Sequence, residues 1–270
     1  MADYLSGEIL TFDKPYGWTS FDVVNKVRRA VCLHTGQKRI KVGHAGTLDP
    51  LATGLMIVCT GKQTKQIEQL QSQTKEYVAT LRLGATTPSF DREHEIDAYY
   101  PTEHLDQSSI EQALRQFVGE IWQTPPAYSA IKVDGKRAYD YARTNQAVDM
   151  KAKQLVIDQI ELIECHAAPE LTADGEQAIR IGRKAQQQAA ENPADMVDRP
   201  AGVQYTPWLA TIRVVCSKGT YIRALARDIG EALHTGAYLT ELRRTRIGTF
   251  DVSDSMRVDD FVTSLQQEEK

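Results

Sequence analysis

The segment KVGHAGTLDPLATGLMIVCT, residues 41–60, constrains the fold of this chain more than any other stretch. Its first part is a polar, glycine-rich turn in which Pro50 restricts Asp49 to an extended backbone conformation. Its second part is a short apolar run between Gly54 and Gly61, which is typical of a buried strand. A carboxylate held in this way is either structural or catalytic, and an isolated aspartate in such a turn is more often structural.

Strands and helices alternate irregularly along the rest of the chain. The stretch WTSFDVVNKVRRAV repeats apolar residues every three or four positions and predicts a helix capped by Thr19 or Ser20. KEYVATLRLG alternates and predicts a strand, whereas DQSSIEQALRQFVG predicts a helix capped by Ser108 or Ser109. Because some strands follow one another without an intervening helix, the pattern favours a mixed α/β or α+β sheet.

The composition excludes several classes of protein. A chain of 270 residues suits one large domain or two small ones, and 41% apolar with 25% charged residues is ordinary for a globular protein. No apolar run reaches the length of a membrane span, and the N-terminus lacks the pattern of a signal peptide. Four scattered cysteines form no CxxC pair, which argues against a disulfide framework or a zinc site. We therefore expect a cytoplasmic protein that does not enter a membrane.

Residues 167–206 interrupt the alternation of elements. They are rich in alanine, glutamine, glutamate and proline, and their centre favours helix without a clear apolar stripe. We predict a surface insertion that is mobile at least in part, in which a helix is possible but marginal alone.

His44 lies among the glycines of the Asp49 turn. An imidazole there can bind a metal, act as a general base or stack on a ligand. The other histidines of the chain show no ligand spacing relative to it, so no metal site is predicted.

The stretch VVCSKGTYIRALARDIG, residues 214–230, is a second candidate for function. Its SKGT turn is followed by Tyr221 and Arg223, which open a helix. Because helix N-termini attract anions, this arginine can bind a phosphate or hold a carboxylate ionised. A surface arginine on an amphipathic helix is an equally good interpretation.

Two further stretches are rich in basic residues, and the second of them also contains tyrosines. LRRTRIG (242–248) and AYSAIKVDGKRAYDYAR (127–143) suit RNA, because rings stack on bases while cations follow the backbone. The alternative is a strand edge protected by positive charge.

Taken in order, six segments of the chain resemble the TruB-type family of bacterial tRNA pseudouridine-55 synthases. They are LTFDKPYGWTSFDVVNKVRR, KVGHAGTLDPLATGLMIVCTGKQTK, KEYVATLRLG, PPAYSAIKVDGKRAYDYAR, CSKGTYIRALARDIG and YLTELRRTRIGTF. The resemblance spans most of residues 8–250 apart from the insertion, and the segment around Asp49 is its most specific part.

The resemblance implies a role for each candidate residue. Asp49 corresponds to the catalytic aspartate of the superfamily, and Tyr77 to the tyrosine that stacks on the target uracil. The other implied substrate-binding residues are His44 near the extruded nucleotide, Tyr221 and Arg223 in the active site with the arginine pairing with the aspartate, and Leu242 lining the pocket.

The resemblance also implies the architecture and the partners. The expected fold is a mixed, mostly antiparallel sheet flanked by helices, within a single catalytic domain over residues 1–270. Residues 125–153 correspond to a mobile loop region that closes over the RNA. The expected substrate is the T-arm of tRNA, modified at position 55 by a monomer that needs no cofactor, metal or guide RNA.

Besides the insertion, which is longer than the connection usual in the family, this chain departs from the family pattern in two places. Only residues 243–270 follow Leu242, so we expect the C-terminal PUA domain of many members to be missing. Pro88 stands where the family usually has an aspartate, whereas Asp91 keeps the later acidic position.

Two alternatives to a position-55 enzyme stay open at the level of sequence. The chain can be a synthase of the same type that acts at another site or on several RNAs. It can also act chiefly as an RNA-binding chaperone that helps tRNA to fold, with modification secondary.

Overall fold

The computed structural model describes residues 3–144, 146, 148–168 and 206–267. Two compact units divide the chain, one formed by Met1–Val78 and Leu242–Lys270 and the other by Ala79–Glu241. The predicted insertion lies outside the described residues except at its two ends. The single catalytic domain over residues 1–270 stays a prediction.

The elements below are those of the described residues. The strands are β1 (Ile9–Lys14), β2 (Val42–His44), β3 (Thr53–Thr60), β4 (Lys75–Leu83), β5 (Ala85–Thr86), β6 (Ala98–Tyr99), β7 (Gly119–Gln123), β8 (Lys132–Val133), β9 (Lys136–Arg137), β10 (Lys153–Ala167), β11 (Trp208–Cys216), β12 (Ala237–Ile247), β13 (Phe250–Asp251) and β14 (Met256–Arg257). The helices are α1 (Ser20–Thr35), α2 (Ile67–Ser72), α3 (Gln107–Arg115), α4 (Ala138–Ala142), α5 (Ile222–Ala232) and α6 (Val258–Gln267), with 3-10 helices at Gly61–Gln66 and Val252–Asp254.

The first unit is built around β3, the strand predicted from the apolar run after Asp49. Its strand order is β14–β1–β3–β12, with β2 paired to β3 and β13 to β12. Strands β1 and β2 run antiparallel to β3, whereas β12 runs parallel to it. Phe12 of β1, Met56 of β3, Val27 of α1 and Phe261 of α6 share one buried apolar cluster. This core fixes the strand into which the Asp49 turn leads.

Helix caps test the local predictions. Thr19 caps α1 as predicted, because its hydroxyl accepts from the Asp22 N–H at 3.1 Å while the Asp22 carboxylate accepts from the Thr19 N–H at 2.8 Å. The cap prediction for α3 is wrong, since the cap is Asp106 and neither Ser108 nor Ser109. The Asp106 carboxylate accepts from the Ser109 N–H at 2.7 Å, and the Ser109 hydroxyl accepts in return from the Asp106 N–H.

The second unit has the strand order β4–β11–β10–β7, in which β10 runs antiparallel to both neighbours. Two small hairpins, β5–β6 and β8–β9, form separate two-stranded sheets. Helix α5 follows the predicted SKGT turn and buries Ile222, Leu225 and Ile229. It ends at Ala232.

The predicted fold class is confirmed. Strand pairs are mostly antiparallel, whereas β1 with β14 and β3 with β12 are parallel, and helices flank the strands. Among the described residues, the helices are too short or too polar to cross a lipid bilayer.

Candidate active site

The Asp49 turn connects β2 to β3 in the first unit, and neighbouring groups tie it down on several sides. The Asp49 carbonyl accepts a hydrogen bond from the Ala52 N–H at 3.0 Å, which closes the turn. The Ser20 hydroxyl, at the start of α1, accepts from the Leu48 N–H at 2.8 Å and donates to the Leu48 carbonyl at 3.0 Å. Asp49 itself is half-buried. The local restraint inferred from Pro50 is therefore reinforced by contacts from α1.

A buried lysine lies beside this turn. Lys14 has no exposed surface, and its Nζ donates to the carbonyls of Trp18 at 2.6 Å, Pro15 at 3.0 Å and Pro50 at 3.3 Å. Burial lowers the pKa of Lys14 to about 8, while the nearby Asp49 carboxylate acts in the opposite direction. The sequence reading missed this residue, because nothing in DKP indicates that the ammonium folds back onto carbonyls.

A second buried cation contacts the turn from β12. Arg244 is 1% exposed. Its Nε donates to the Leu55 carbonyl at 2.8 Å, and its Nη2 and Nη1 donate to the carbonyls of Gly46 at 3.2 Å and Thr47 at 3.4 Å. The chain segment that carries Asp49 therefore has a positive charge bonded to its backbone on both sides.

His44 is the last residue of β2 and pairs with Val58 of β3. Burial lowers the pKa of His44, the Gly46 backbone raises it, and the positive charge of Arg244 lowers it. The imidazole is therefore neutral at pH 7. No group of three or more histidine, cysteine, aspartate or glutamate side chains in the described part of the chain is arranged to hold a metal ion.

Tyr77 and Leu242 belong to the same unit as Asp49. Tyr77 is a buried residue on β4, at 8% exposure, and Leu242 is a half-buried residue on β12.

Tyr221 and Arg223 lie in the second unit. Tyr221 is the residue before α5, and Gln123 bonds its backbone twice, accepting from the N–H at 2.9 Å and donating to the carbonyl at 3.2 Å. Arg223 is buried, so the interpretation as a surface arginine is wrong. Its predicted pairing with Asp49 stays a prediction.

Arg223 is held by groups that sequence reasoning did not connect to it. Its Nε lies 3.6 Å from the Asp91 carboxylate, and its Nη1 and Nη2 donate to the carbonyls of Ser89 at 3.1 Å and Tyr128 at 2.8 Å. Asp91 in turn accepts from the Ser89 hydroxyl at 2.6 Å and from the Glu93 N–H at 2.9 Å. The sequence shows that Asp91 keeps an acidic position of the family pattern, but it does not indicate which basic residue the carboxylate contacts.

The arginines of LRRTRIG bond groups of the protein, and the RNA-binding interpretation of this stretch stays a prediction. Arg243 bonds the Asp13 carboxylate at 2.8 and 3.0 Å, and Arg246 lies 3.1 Å from the Glu76 carboxylate. With Arg244 bonded to carbonyls, each guanidinium of this stretch is engaged by the protein itself.

The fold defines the class of the protein. The structure is similar to one chain of a solved Cbf5–Nop10–Gar1 complex, with a TM-score of 0.63 and 25% identity, over 99% of this chain and 56% of that chain. A structure of an H/ACA RNP bound to a substrate RNA containing 2′-deoxyuridine shares the fold with a TM-score of 0.59 at 24% identity, over 98% of this chain and 56% of that one. This is the fold of the pseudouridine synthases.

Sequence comparison narrows the class to one family. Residues 33–174 match the model of the TruB family pseudouridylate synthase N-terminal domain, and residues 223–270 match that of the tRNA pseudouridylate synthase B C-terminal domain. Proteins called tRNA pseudouridine synthase B from Phocaeicola vulgatus and Bacteroides thetaiotaomicron are each 54% identical over 99% of this chain, covering 97% and 96% of their own lengths. The chain therefore belongs to the TruB family of pseudouridylate synthases. The predicted enzyme class, a tRNA pseudouridine synthase, is confirmed by this membership.

Proposed function

We propose that the chain converts the uridine at position 55, in the T-arm loop of tRNA, to pseudouridine, with Asp49 as its catalytic residue. The observation that carries this proposal is the half-buried Asp49 in a turn that α1 and two buried cations restrain. Restraint of this kind suits a catalytic carboxylate, because a fixed orientation removes much of the entropic barrier of the reaction.

The reaction needs only one such group. The N1–C1′ bond of the uridine breaks, the uracil turns, and C5 bonds to the same sugar carbon while the C5 proton is replaced by one at N1. Product and substrate are isomers, so the step consumes no oxidant, reductant or group donor. The Asp49 carboxylate either attacks the sugar or removes a sugar proton.

The target base has to leave its stack before the carboxylate can reach the sugar. We assign the stacking role to Tyr77 and substrate contacts to His44, Tyr221, Arg223 and Leu242. The neutral state of His44 supports hydrogen bonding to RNA without an added charge.

Residues 125–153 form the region that we assign to closure over the RNA. Its hairpin β8–β9 and the residue that follows helix α4 carry exposed cations beside the tyrosines of that helix. The Arg143 and Arg137 guanidinium carbons lie 5.2 and 5.8 Å from the Tyr139 ring centroid, and the Lys136 Nζ lies 5.9 Å from that of Tyr141. Exposed cations beside half-buried rings support contacts with a phosphate backbone and with unstacked bases.

We also propose that the enzyme acts in the cytoplasm as a monomer and without a guide RNA. It needs no cofactor, because the isomerisation supplies all its own atoms.

Incubation with an unmodified tRNA transcript, followed by position-resolved mapping of pseudouridine, tests the function. The native enzyme forms pseudouridine at position 55 only, whereas Asp49→Asn binds the transcript and forms none. Asp259→Asn, at a side chain that is 73% exposed, is the matched control and keeps full activity. Substantial turnover by Asp49→Asn contradicts the catalytic assignment, and product at other positions contradicts the substrate assignment.

The chaperone alternative predicts a different outcome in cells. A strain that lacks its own synthase and needs one for fitness is complemented by Asp49→Ala only if RNA folding is the main role. If modification is the main role, Asp49→Ala restores neither pseudouridine nor fitness, and this is the result we expect.

A further inference from the structure

Arg244 is a charged residue in a buried place. Its side chain has three donor groups engaged, by the carbonyls of Gly46, Thr47 and Leu55. The first two carbonyls precede Asp49 in the chain and the third follows it. One side chain therefore ties together both ends of the segment that carries the carboxylate.

Burying a guanidinium is costly unless its charge is compensated. In the part of the chain that the structure describes, the Arg244 guanidinium donates its hydrogen bonds to carbonyl oxygens. The nearby guanidinium groups of Arg243 and Arg246 pair instead with carboxylates of the protein. Replacing Arg244 by an apolar side chain of similar volume would leave these three carbonyls without their donor, which lowers stability whatever else the residue does. The position of Arg244 beside the Asp49 segment suggests another reason for its charge.

The backbone of Arg244 is also in close contact with this segment. Arg244 pairs with Gly54 in the parallel β3–β12 ladder, and Gly54 has a φ of +104°. A Cβ at Gly54 would meet the Arg244 carbonyl oxygen and lie 2.8 Å from its nitrogen. The arginine side chain is thus anchored at the end of the Asp49 segment, and it cannot be displaced without moving β12.

We infer that Arg244 is a positioning residue for catalysis, which holds the Asp49 carboxylate in its reactive orientation through the backbone of residues 46–55. This inference rests on the proposed catalytic role of Asp49. Lys14 supports the same segment at the Pro50 carbonyl, so the two cations act on its different sides. Neither needs to touch the RNA.

Three variants test the inference. Arg244→Met keeps the volume of the side chain and removes its donors. Arg244→Lys keeps the charge and restores part of the hydrogen bonding. Arg243→Met is the matched control, because Arg243 immediately precedes Arg244 on the same strand and pairs with Asp13 at a partly exposed position. For each variant we would measure kcat and KM on an unmodified tRNA transcript, RNA affinity, melting temperature and amide hydrogen exchange of residues 46–55.

We expect kcat of Arg244→Met, per folded molecule, to fall by about 100-fold, the loss that a displacement of about 1 Å at a reacting group produces. KM and RNA affinity stay within about twofold of the native values, in line with uniform substrate binding being intact. Arg244→Lys recovers part of kcat, and amide exchange accelerates over residues 46–55 in Arg244→Met. Arg243→Met leaves kcat unchanged.

The inference is overturned if kcat per folded molecule of Arg244→Met stays within twofold while its melting temperature falls. It is also overturned if the loss appears in KM alone. If Arg244→Met does not fold, Arg244→Lys decides, since native kcat in that variant with unchanged exchange over residues 46–55 contradicts positioning. Turnover by Asp49→Asn refutes the proposed function instead, whatever Arg244 does.

Discussion

The Arg223 guanidinium lies 3.6 Å from the Asp91 carboxylate, and both side chains are less than a tenth exposed. The loop that carries Asp91 also supplies the Ser89 carbonyl to the same guanidinium. Arg223 is thus oriented by a loop that lies far from it in the chain. This pair, more than the helix on which Arg223 lies, determines where the charge of the arginine is placed.

Replacement of Asp91 by asparagine tests the importance of this pair. The variant leaves a buried guanidinium with one negative partner fewer, which lowers the free energy of unfolding by about 3 kcal/mol. We also expect slower formation of pseudouridine, because Arg223 loses its orientation. Urea denaturation and single-turnover kinetics measure the two effects.

Glu161→Gln is the control for Asp91→Asn. It removes an exposed carboxylate that lies 3.2 Å from Arg213, and exposed pairs contribute at most about 1 kcal/mol. Equal stability losses in the two variants would contradict the assignment of the Asp91 pair as a buried, orienting contact.

The buried Lys14 predicts how stability depends on pH. Its pKa is lowered from 10.5 to about 8 on folding, so between these values the unfolded chain binds more protons than the folded one. The free energy of unfolding therefore gains a rising contribution between pH 8 and 10.5. Lys14→Met lacks this contribution, and the difference between the two denaturation profiles isolates it.

The comparison with Lys14→Met is needed because a second group acts in the opposite direction. Burial raises the pKa of the Cys59 thiol from 9.0 to about 11. Between these pH values the folded chain binds more protons than the unfolded one, so this thiol makes the free energy of unfolding fall as the pH rises. Both proteins share this effect. Parallel profiles for the native protein and Lys14→Met would refute the lowered pKa of Lys14.

Gly54→Ala tests the close contact between β3 and β12. The positive φ strains an alanine, and the added methyl group meets the backbone of Arg244, which cannot move without breaking the β12 pairing. We expect a loss of more than about 4 kcal/mol, which single substitutions rarely reach. Thermal and urea unfolding provide the measurement.

Gly17→Ala separates strain from collision. Gly17 also has a positive φ, +79°, but an added Cβ meets nothing within 4 Å. Its expected loss is about 1–2 kcal/mol, the cost of the left-handed conformation alone. If Gly54→Ala and Gly17→Ala lower the free energy of unfolding equally, the contact with the Arg244 backbone adds nothing to the strain of the positive φ.

The proposed RNA contacts of residues 125–153 predict a change in salt dependence. Arg137→Gln removes one exposed cation, which weakens RNA binding and reduces the slope of log K against log salt by about 1 if the residue contacts a phosphate. Filter binding of a T-arm stem-loop at several salt concentrations measures this slope. Arg115→Gln, an exposed arginine on α3, is the matched control and leaves the slope unchanged; identical slopes for all three proteins would remove Arg137 from the interface.

Local signals in the sequence were sufficient for much of the fold. The apolar run after Gly54 forms β3, the three- and four-residue repeat forms α1, and Thr19 caps it. Each of these features depends on residues that are close to one another in the sequence, so the local pattern is enough to predict it. The Asp49 turn belongs to the same group, because glycines and Pro50 constrain it directly.

The contacts that hold the candidate site depended instead on tertiary structure. LRRTRIG reads as a basic RNA-binding stretch, yet Arg243 bonds Asp13, 230 residues away, and Arg244 bonds backbone carbonyls of the Asp49 segment. Asp91 meets Arg223 in the same way, across a long stretch of chain. A basic side chain has the same sequence signature whether it faces RNA, a carboxylate or a carbonyl. Its partner is chosen by which strands pair and which side chains are buried, and only the folded chain determines both.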